Sequence, residues 1–210
     1  MELFKRENYL KKIRGFYHAT DIIKVITGVR RCGKSTLMQI VADELRDVGV
    51  VSDRIVFLNL DKLEYRKIKT ADQLDALIAS FPKSGEPMYL FIDEVQNVED
   101  FEEVINGYRE DGSYSIFITG SNSYLLSGEL ATKLTGRYIE IELYPLTFDE
   151  YLQMKAFYGK PADPNLSVEL NRYILEGGFP RAIRFDELGD KRSYTESVVT
   201  EIFEIGRAHV

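Results

Sequence analysis

The sequence GVRRCGKST at residues 28–36 decides the fold of this chain. The β-branched run Ile22–Thr27 precedes it and predicts a buried strand, and apolar residues recur at helical spacing from Leu37 to Leu45 after it. A glycine-rich turn between a strand and a helix N-terminus directs backbone N–H groups toward bound phosphate oxygens. The stretch therefore predicts a phosphate-binding loop, and an ordinary strand-to-helix turn is the alternative.

The residue types in this loop suit a nucleoside triphosphate with its metal ion. The two glycines let the backbone approach the ligand closely, Lys34 supplies a positive charge to the outer phosphates, and Ser35 offers a hydroxyl to Mg²⁺. The candidate nucleotide-binding residues of the loop are Gly28, Arg30, Arg31, Cys32, Gly33, Lys34, Ser35 and Thr36.

A second segment places two adjacent carboxylates at the end of a strand. Residues 88–94 have the sequence MYLFIDE, an apolar run that ends in Asp93 and Glu94. At that position Asp93 can hold Mg²⁺, and Glu94 can orient and deprotonate an attacking water. The pair alone is typical of a solvated strand end. Together with the loop it predicts hydrolysis of ATP or GTP, with Glu94 as the base and Lys34 neutralising the phosphate charge.

The composition is that of an ordinary globular protein. The chain has 210 residues, of which 44% are hydrophobic, and a net charge of −7 at pH 7. No stretch approaches the roughly 18 uncharged apolar residues of a membrane span, and the single cysteine excludes an intramolecular disulfide. We therefore expect a cytoplasmic protein without a membrane partner.

The first 31 residues are basic, with eight Lys or Arg against three acidic residues. Apolar residues interleave with these charges at roughly helical spacing, which favours an amphipathic helix lying on the domain. A nucleic-acid surface is the alternative that this basic start leaves open, although the acidic remainder of the chain argues against it.

Strands alternate with helices until about Pro145, after which only helical patterns continue. Such alternation requires crossover connections and predicts a mostly parallel sheet that binds ligands at the carboxyl ends of its strands. The predicted fold is thus an α/β three-layer sandwich with a mostly parallel five-stranded sheet, followed by a small helical lid. The predicted strands cover residues 22–27, 54–60, 88–94, 114–119 and 137–143.

Two short patterns predict where helices begin. Thr70 is followed three residues later by Gln73, and Thr147 is followed at the same spacing by Glu150. In a capping box, the first side chain accepts the N–H of the fourth residue, whose side chain accepts the N–H of the first. We therefore predict helices that start directly after Thr70 and Thr147.

Four segments are expected along the chain. An N-terminal helix or linker leads into an ATPase core, which is followed by the helical lid and a short tail. The tail resembles a translated sequencing-library adapter, so we predict that the native protein continues past Glu204. The four segments cover residues 1–19, 20–145, 146–204 and 205–210.

The succession of motifs resembles the AAA+ ATPases, and more narrowly a prokaryotic group of them. In that group a GVRRCGKST loop (Walker A) is followed by an FIDEVQ strand (Walker B), a TGSNS turn, an LTGR box and an LxPLTFxEYL segment. The resemblance extends over about residues 10–185. It implies a fold of the P-loop NTPase type with ATP and Mg²⁺ as cofactors, and the preference for ATP over GTP rests on the family alone.

The resemblance also implies roles for residues outside the two phosphate-site motifs. Ser121 or Asn122 matches the sensor that contacts the γ-phosphate or the attacking water, and a plain Gly-Ser-Asn turn is the alternative. Arg137 matches an arginine finger, which commonly acts on a neighbouring subunit and so implies a homo-oligomer; otherwise it is an exposed strand-start arginine. Pro180 matches the lid motif that fits against the nucleotide, and Arg181 matches a second sensor. A plain turn between two helices is the alternative for both residues.

These interpretations predict a domain that hydrolyses ATP to ADP and phosphate with Mg²⁺ to drive a conformational change. The alternative is a slow nucleotide-dependent switch that controls a C-terminal effector domain, since longer members of the family carry a further domain. Phosphoryl transfer to a small molecule is disfavoured, because such kinases do not need an Asp-Glu pair at a strand end. A protein partner or the protein's own further domain is expected to receive the output.

Overall fold

The chain forms two compact units in the computed structural model, which describes residues 2–82, 85–120, 133–134 and 136–208, the last four by their backbone alone. The sheet unit comprises Glu7–Thr27 and Lys34–Glu142. The helical unit comprises Met1–Arg6, Gly28–Gly33 and Leu143–Val210. The first six residues of the phosphate loop therefore belong to the helical unit, and Lys34 begins the second segment of the sheet unit.

Five parallel strands form the centre of the sheet unit, as predicted. They are β1 (Ile23–Thr27), β2 (Ile55–Asn59), β3 (Met88–Asp93), β4 (Tyr114–Thr119) and β5 (Tyr138–Glu142). Their order across the sheet is β2-β3-β4-β1-β5, and each pairing is parallel. The carboxyl ends of the strands therefore lie at one edge, where the register pairs Asn59 with Asp93 and Thr119 with Ile26.

Helices cover one face of this sheet through a continuous apolar core. Among its described residues, the sheet unit has the helices α1 (Glu7–Ile13), α2 (Lys34–Asp47), α3 (Ala71–Ala79) and α4 (Phe101–Asp111). Leu74 and Ile78 of α3 and Ile105 of α4 are fully buried in one cluster with Leu90 and Ile116 of the sheet. Full burial of each such side chain contributes about 1.5–3 kcal/mol to folding, which fixes α3 and α4 on this face.

The opposite face carries a row of aromatic rings. Phe57, Phe91 and Phe117 come from adjacent strands, and their ring centroids are 5.5 Å and 4.5 Å apart in stacked geometry. Tyr17 packs edge-on against Phe117 and donates a hydrogen bond to Glu44 of α2, which places α2 on this side. The sheet unit thus has the three layers that the alternation of strands and helices predicts.

The helical unit contains three helices after residue 146, where the sequence predicts a helical lid. They are α5 (Phe148–Phe157), α6 (Leu166–Glu176) and α7 (Leu188–Ala208), with a 3₁₀ turn at Pro180–Arg184. Phe4 joins Leu146, Tyr151, Met154 and Ile183 in the buried core of this unit. The extended N-terminal residues are therefore packed with the helices that lie more than a hundred positions later in the sequence.

One of the two predicted capping boxes is confirmed and the other is wrong. At the start of α5, the Glu150 N–H donates to Thr147 Oγ1 and the Thr147 N–H donates to Glu150 Oε2. The Thr70 side chain accepts no hydrogen bond from α3, and Gln73 instead accepts the N–H of Lys69. Thr70 is extended, as Thr147 is, and also forms a parallel bridge to Glu99, but its side chain makes no capping hydrogen bond.

The N-terminal helix is shorter than its charge and apolar pattern predicts. Only Glu7–Ile13 is α-helical, because Phe4 and Arg6 bury their side chains within the helical unit instead of continuing α1. Across the described ranges, no helix is both long enough and apolar enough to cross a membrane.

Candidate functional site

Asp93 is the centre of a polar cluster at the carboxyl ends of the strands. It ends β3 and is fully buried. Its Oδ1 accepts a hydrogen bond from Thr119 at 2.5 Å, and its Oδ2 accepts one from Asn59 at 2.8 Å, so both neighbouring strands hold it. The Ser35 hydroxyl also bonds to this carboxylate. Burial raises the pKa of Asp93 above its ordinary value, although the hydrogen bonds from Thr119 and Ser35 act in the opposite direction.

Glu94 follows in a left-handed backbone conformation, with φ of 58° and ψ of 51°. Residues other than glycine rarely adopt this conformation, and such strain concentrates at functional sites. The Glu94 N–H donates to Thr119 Oγ1 at 3.0 Å, and Gln96 Nε2 donates to Glu94 Oε2 at 2.6 Å. Thr119 therefore orients Asp93 and Glu94 together.

Lys34 completes the cluster from the start of α2. Its side chain is 3% exposed, and its ammonium lies 3.9 Å from Glu94 Oε1. Ser35 and Thr36 follow on the first turn of the helix and are exposed, at the end where the helix dipole favours anions. Lys34, Ser35, Asp93 and Glu94, which the sequence assigns to one site, thus lie together within the sheet unit.

The cluster offers oxygen ligands of the kind that Mg²⁺ prefers. Ser35 and Asp93 are in hydrogen-bond contact and so lie close enough to ligate the same ion. Magnesium at a nucleotide is usually held by one or two protein groups, with phosphate oxygens and waters completing its shell. In the described part of the chain, no three His, Cys, Asp or Glu side chains are arranged to hold a metal ion. The donor set of Ser35 and Asp93 therefore fits a Mg²⁺ whose remaining ligands are phosphate oxygens and waters.

The loop Gly28–Gly33 has the backbone that its glycines predict. Gly28 and Gly33 have φ of +137° and +108°, and Arg31 between them has φ of +64°. A Cβ at Gly28 would lie 2.1 Å from the Leu143 carbonyl oxygen and 3.1 Å from Cys32 Sγ, so a larger residue does not fit there. The Gly28 end of the loop thus packs closely against the Leu143 carbonyl, and the thiol of Cys32, within the loop, is buried.

The side chains of Arg30 and Arg31 share one carboxylate of α7. Arg30 Nη1 lies 2.5 Å from Glu201 Oε1, and Arg31 Nη2 lies 3.1 Å from Glu201 Oε2. The Arg31 guanidinium also lies over the Tyr194 ring, 5.7 Å from its centroid. The hydrogen bond from Arg30 is the main cause that lowers the pKa of Glu201. Both loop arginines therefore contact a helix of their own unit, in addition to the nucleotide role predicted for them.

Pro180 lies beside the loop within the helical unit. A Cβ at Gly33 would be 3.8 Å from Pro180 Cγ, an ordinary van der Waals distance. Pro180 is the first residue of the 3₁₀ turn, and Arg181 after it is exposed. The structure thus places the predicted lid proline against the last glycine of the loop.

Three predicted site residues are not part of these clusters. Ser121 and Asn122 lie outside the described residues. Arg137 is exposed, and its carbonyl accepts the N–H of Ile23 at 3.0 Å, where β1 begins. Arg137 thus lies at the amino ends of the parallel strands. One strand length, about 16 Å, separates these ends from the carboxyl ends. Arg137 and Asp93 therefore lie at opposite edges of the same sheet.

Four residues that contact the predicted site residues were not themselves predicted from the sequence. Asn59 and Thr119 had a usable signal, since each is a polar residue within one position of the end of a predicted strand. Arg6 and Glu201 had none, because Arg6 binds the Cys32 carbonyl from 26 positions away and Glu201 binds Arg30 from 171 positions away.

Comparison with known proteins finds one matching family model and two similar curated proteins. A family model described as an AAA domain matches residues 20–152. An uncharacterized protein of Haemophilus influenzae is 41% identical over 204 residues, a match that covers 96% of this chain and 49% of that protein. An uncharacterized protein of Methanocaldococcus jannaschii is 35% identical over 188 residues, covering 86% of this chain and 41% of that protein. The chain thus spans about half the length of these curated relatives, or less.

Three solved structures have a fold similar to that of this chain. The Walker-type ATPase PABY2304 of Pyrococcus abyssi has a TM-score of 0.65 at 16% identity, covering 98% of this chain and 76% of that one. PCH-2 of C. elegans has a TM-score of 0.55 at 14% identity, and the match covers 95% of this chain and 69% of that one. A DNA polymerase III gamma subunit-related protein of Thermotoga maritima has a TM-score of 0.55 at 9% identity, and the match covers 83% of this chain and 56% of that one. At these identities the likeness shows the fold alone.

Proposed function

The chain belongs to the AAA domain family, and we propose that it binds ATP with Mg²⁺ and hydrolyses the ATP to ADP and phosphate to drive a conformational change. The observation that carries this proposal is the cluster around Asp93. A buried carboxylate, a second carboxylate and a lysine ammonium meet at the carboxyl ends of parallel strands. Open parallel sheets bind their ligands at this edge.

Each residue of the cluster has a proposed role. The loop N–H groups and Lys34 bind the phosphates, and Ser35 with Asp93 holds the Mg²⁺, which would neutralise charge on the β- and γ-phosphates. A water oxygen forms a bond to the γ-phosphorus while the bond to the β–γ bridging oxygen breaks. The proton of that water passes to Glu94. Thr119 keeps Asp93 and Glu94 in place during this step.

Two substitutions test these roles separately. We expect Lys34→Ala to weaken Mg-ATP binding on the order of a hundredfold, because a charge-assisted phosphate contact is lost. We expect Glu94→Gln to retain binding and to lower the rate of phosphate release by about 10²–10⁴-fold, the usual contribution of a general base. Calorimetry with Mg-ATP and a phosphate-release assay measure the two effects, and Lys11→Ala on an exposed turn of α1 serves as a control.

The outcomes that would overturn these assignments are distinct. Normal hydrolysis by Glu94→Gln would show that another group takes the proton. Absence of any heat of binding between Mg-ATP and the folded wild-type chain would refute the nucleotide site itself.

A slow nucleotide-dependent switch is the second candidate, and the engagement of Glu94 favours it. Its Oε2 accepts a hydrogen bond from Gln96, and its Oε1 lies near the Lys34 ammonium. An attacking water must therefore compete with these two groups for the Glu94 carboxylate. In this case the bound nucleotide signals to a partner or to a further domain of the whole protein. Retention of nucleotide through purification, with turnover well below about 1 s⁻¹, supports the switch over a rapid hydrolase.

The position of Arg137 supports a proposal about assembly. Since Arg137 is exposed at the edge of the sheet opposite Asp93, a role as an arginine finger requires a second copy of the chain. We propose such a homo-oligomer, located in the cytoplasm. ATPase activity per chain that rises with protein concentration, and that Arg137→Ala abolishes, supports the assembly; activity independent of concentration contradicts it.

A further inference from the structure

Arg6 joins the phosphate loop to the first helix of the helical unit. The residue is 5% exposed although it carries a full charge. Its Nε and Nη2 donate to the two carboxylate oxygens of Glu150, at 2.8 Å and 2.7 Å. Its Nη1 donates to the carbonyl oxygens of Tyr144 at 2.8 Å and Cys32 at 3.3 Å. One guanidinium group therefore contacts the loop, the segment after β5 and the capping residue of α5.

The contact with Cys32 determines the direction of an N–H group in the loop. The peptide between Cys32 and Gly33 is trans, so its C=O and its N–H point in opposite directions. When Arg6 holds the Cys32 carbonyl on one side, the Gly33 N–H is turned to the other side. This N–H precedes Lys34 and is one of the donors on which a phosphate loop depends.

We propose that Arg6 is a positioning residue for the phosphate loop, which holds the Cys32–Gly33 peptide so that the Gly33 N–H faces the phosphates. This inference rests on the proposed binding of ATP. Arg6 does not contact the nucleotide in this role and acts through the Cys32 carbonyl alone. Its salt bridge with Glu150 fixes the guanidinium, and Glu150 is fixed in turn by the N–H of Thr147 at the N-cap of α5.

The geometry requires arginine at this position. The planar guanidinium presents donors in a fixed fork, which here meets the Glu150 carboxylate on one side and the carbonyl oxygens of Cys32, Tyr144 and Pro145 on the other. A lysine ammonium retains the charge opposite Glu150 but cannot span both sets of acceptors at once. Arg6→Lys therefore separates the contact with the loop from the charge balance of the buried pair.

Two single substitutions distinguish positioning of the loop from a merely structural role. Thermal unfolding and the Kd for Mg-ATP are measured on the full chain. We expect Arg6→Lys to raise the Kd by about tenfold or more, whereas Glu150→Gln, which keeps the guanidinium and one side-chain oxygen that can accept from it, changes the Kd by less than about threefold. Both variants lower the unfolding temperature. A merely structural role would change the Kd of both variants in proportion to their loss of stability.

A further variant keeps the test decisive if Arg6→Lys does not fold. The double variant Arg6→Gln with Glu150→Gln removes both buried charges, so neither is left unpaired. We expect it to bind Mg-ATP as weakly as Arg6→Lys. Wild-type affinity in any folded variant that lacks the guanidinium overturns the inference while the proposed function stands, and absence of Mg-ATP binding by the wild type overturns both.

Discussion

Thr119 Oγ1 lies 2.5 Å from Asp93 Oδ1 and 3.0 Å from the backbone nitrogen of Glu94, so one hydroxyl orients two adjacent acidic residues. It donates its hydrogen to the carboxylate and accepts the N–H with a lone pair, which uses both capacities of a hydroxyl. The left-handed turn at Glu94 depends on this support, because a strained backbone persists only when its surroundings hold it.

Thr119→Val tests this arrangement with little change in side-chain shape. The variant removes one hydrogen bond from the buried Asp93 carboxylate and one acceptor from the Glu94 N–H. We expect the free energy of unfolding, measured with urea, to fall by about 1–3 kcal/mol. The rate of phosphate release is expected to fall with it, because Thr119 orients Glu94, the proposed base.

Thr119→Ser is the matched control for this prediction, since it retains the hydroxyl and loses only a methyl group. We expect it to recover most of the stability and of the phosphate-release rate. If the serine variant were as slow as the valine variant, packing of the methyl group would explain the effect and the hydrogen bonds would not.

Gly28 is a position where the backbone excludes a side chain. A Cβ there would lie 2.1 Å from the Leu143 carbonyl oxygen, and its φ of +137° is unfavourable for other residues. We expect Gly28→Ala to lower the free energy of unfolding by about 3 kcal/mol or more, through overpacking and backbone strain. Gly15→Ala, where nothing lies within 4 Å of the added carbon, is the control and is expected to change it by less than about 1 kcal/mol. Equal losses from the two substitutions would contradict the close approach at Leu143.

The parts of the site that follow from local patterns could be predicted from the sequence. The five parallel strands and the meeting of Lys34 with Asp93 and Glu94 follow from periodicity, because parallel strands place their carboxyl ends at one edge. The contacts of Arg6 with Glu150 could not be predicted in this way. The two residues are 144 positions apart, and a lone arginine in a basic segment has no local pattern that distinguishes burial from exposure.

The two capping patterns show that a local sequence motif does not by itself determine the hydrogen bonds at a helix start. Thr147 and Thr70 are followed by Glu150 and Gln73 at identical spacing, yet only Thr147 forms the box. At α3, Gln73 accepts the N–H of Lys69, one residue before the expected partner Thr70. A capping motif therefore predicts the start of a helix, which holds in both cases, more reliably than it predicts the hydrogen bonds.

Glu201 pairs with both arginines of the loop, and we expect it to compete with a bound nucleotide for them. The pairs with Arg30 and Arg31 are partly exposed, so we expect Glu201→Gln to change the free energy of unfolding by less than about 1 kcal/mol. Loss of its charge frees both guanidinium groups for phosphates, so the Kd for Mg-ATP is expected to fall by about two- to fivefold at low salt. Calorimetry at two salt concentrations measures the change. Glu204→Gln, an exposed position on the same helix, is the control, and an equal effect from it would show that only net charge matters.

Lys24 is a fully buried lysine on β1. Its ammonium donates to the carbonyl oxygens of Ala19 and Ile22 and to Ser115 Oγ, and it lies 4.6 Å from the centroid of the Phe117 ring. Each of these groups is neutral. Burial lowers the pKa of Lys24 to about 7, although the charge of Asp21 raises it slightly.

This pKa predicts how stability depends on pH. The unfolded chain keeps the Lys24 proton up to about pH 10, whereas the folded chain releases it near pH 7. Between these values the unfolded state binds more protons, so the free energy of unfolding rises with pH. From pH 7 to pH 9 we expect this rise to amount to about 2 kcal/mol. The contribution is absent below pH 7, where both states are protonated.

Lys24→Met removes the titrating group and should flatten this rise, while Lys11→Met on the exposed side of α1 should retain it. Urea unfolding at pH 7, 8 and 9 gives the slope for each variant and for the wild type. The comparison uses slopes because Lys24→Met also leaves the Ala19 and Ile22 carbonyls with one donor fewer, a loss that does not depend on pH. Parallel slopes for Lys24→Met and the wild type would mean that Lys24 stays protonated in the fold, held by those carbonyls more strongly than burial opposes its charge.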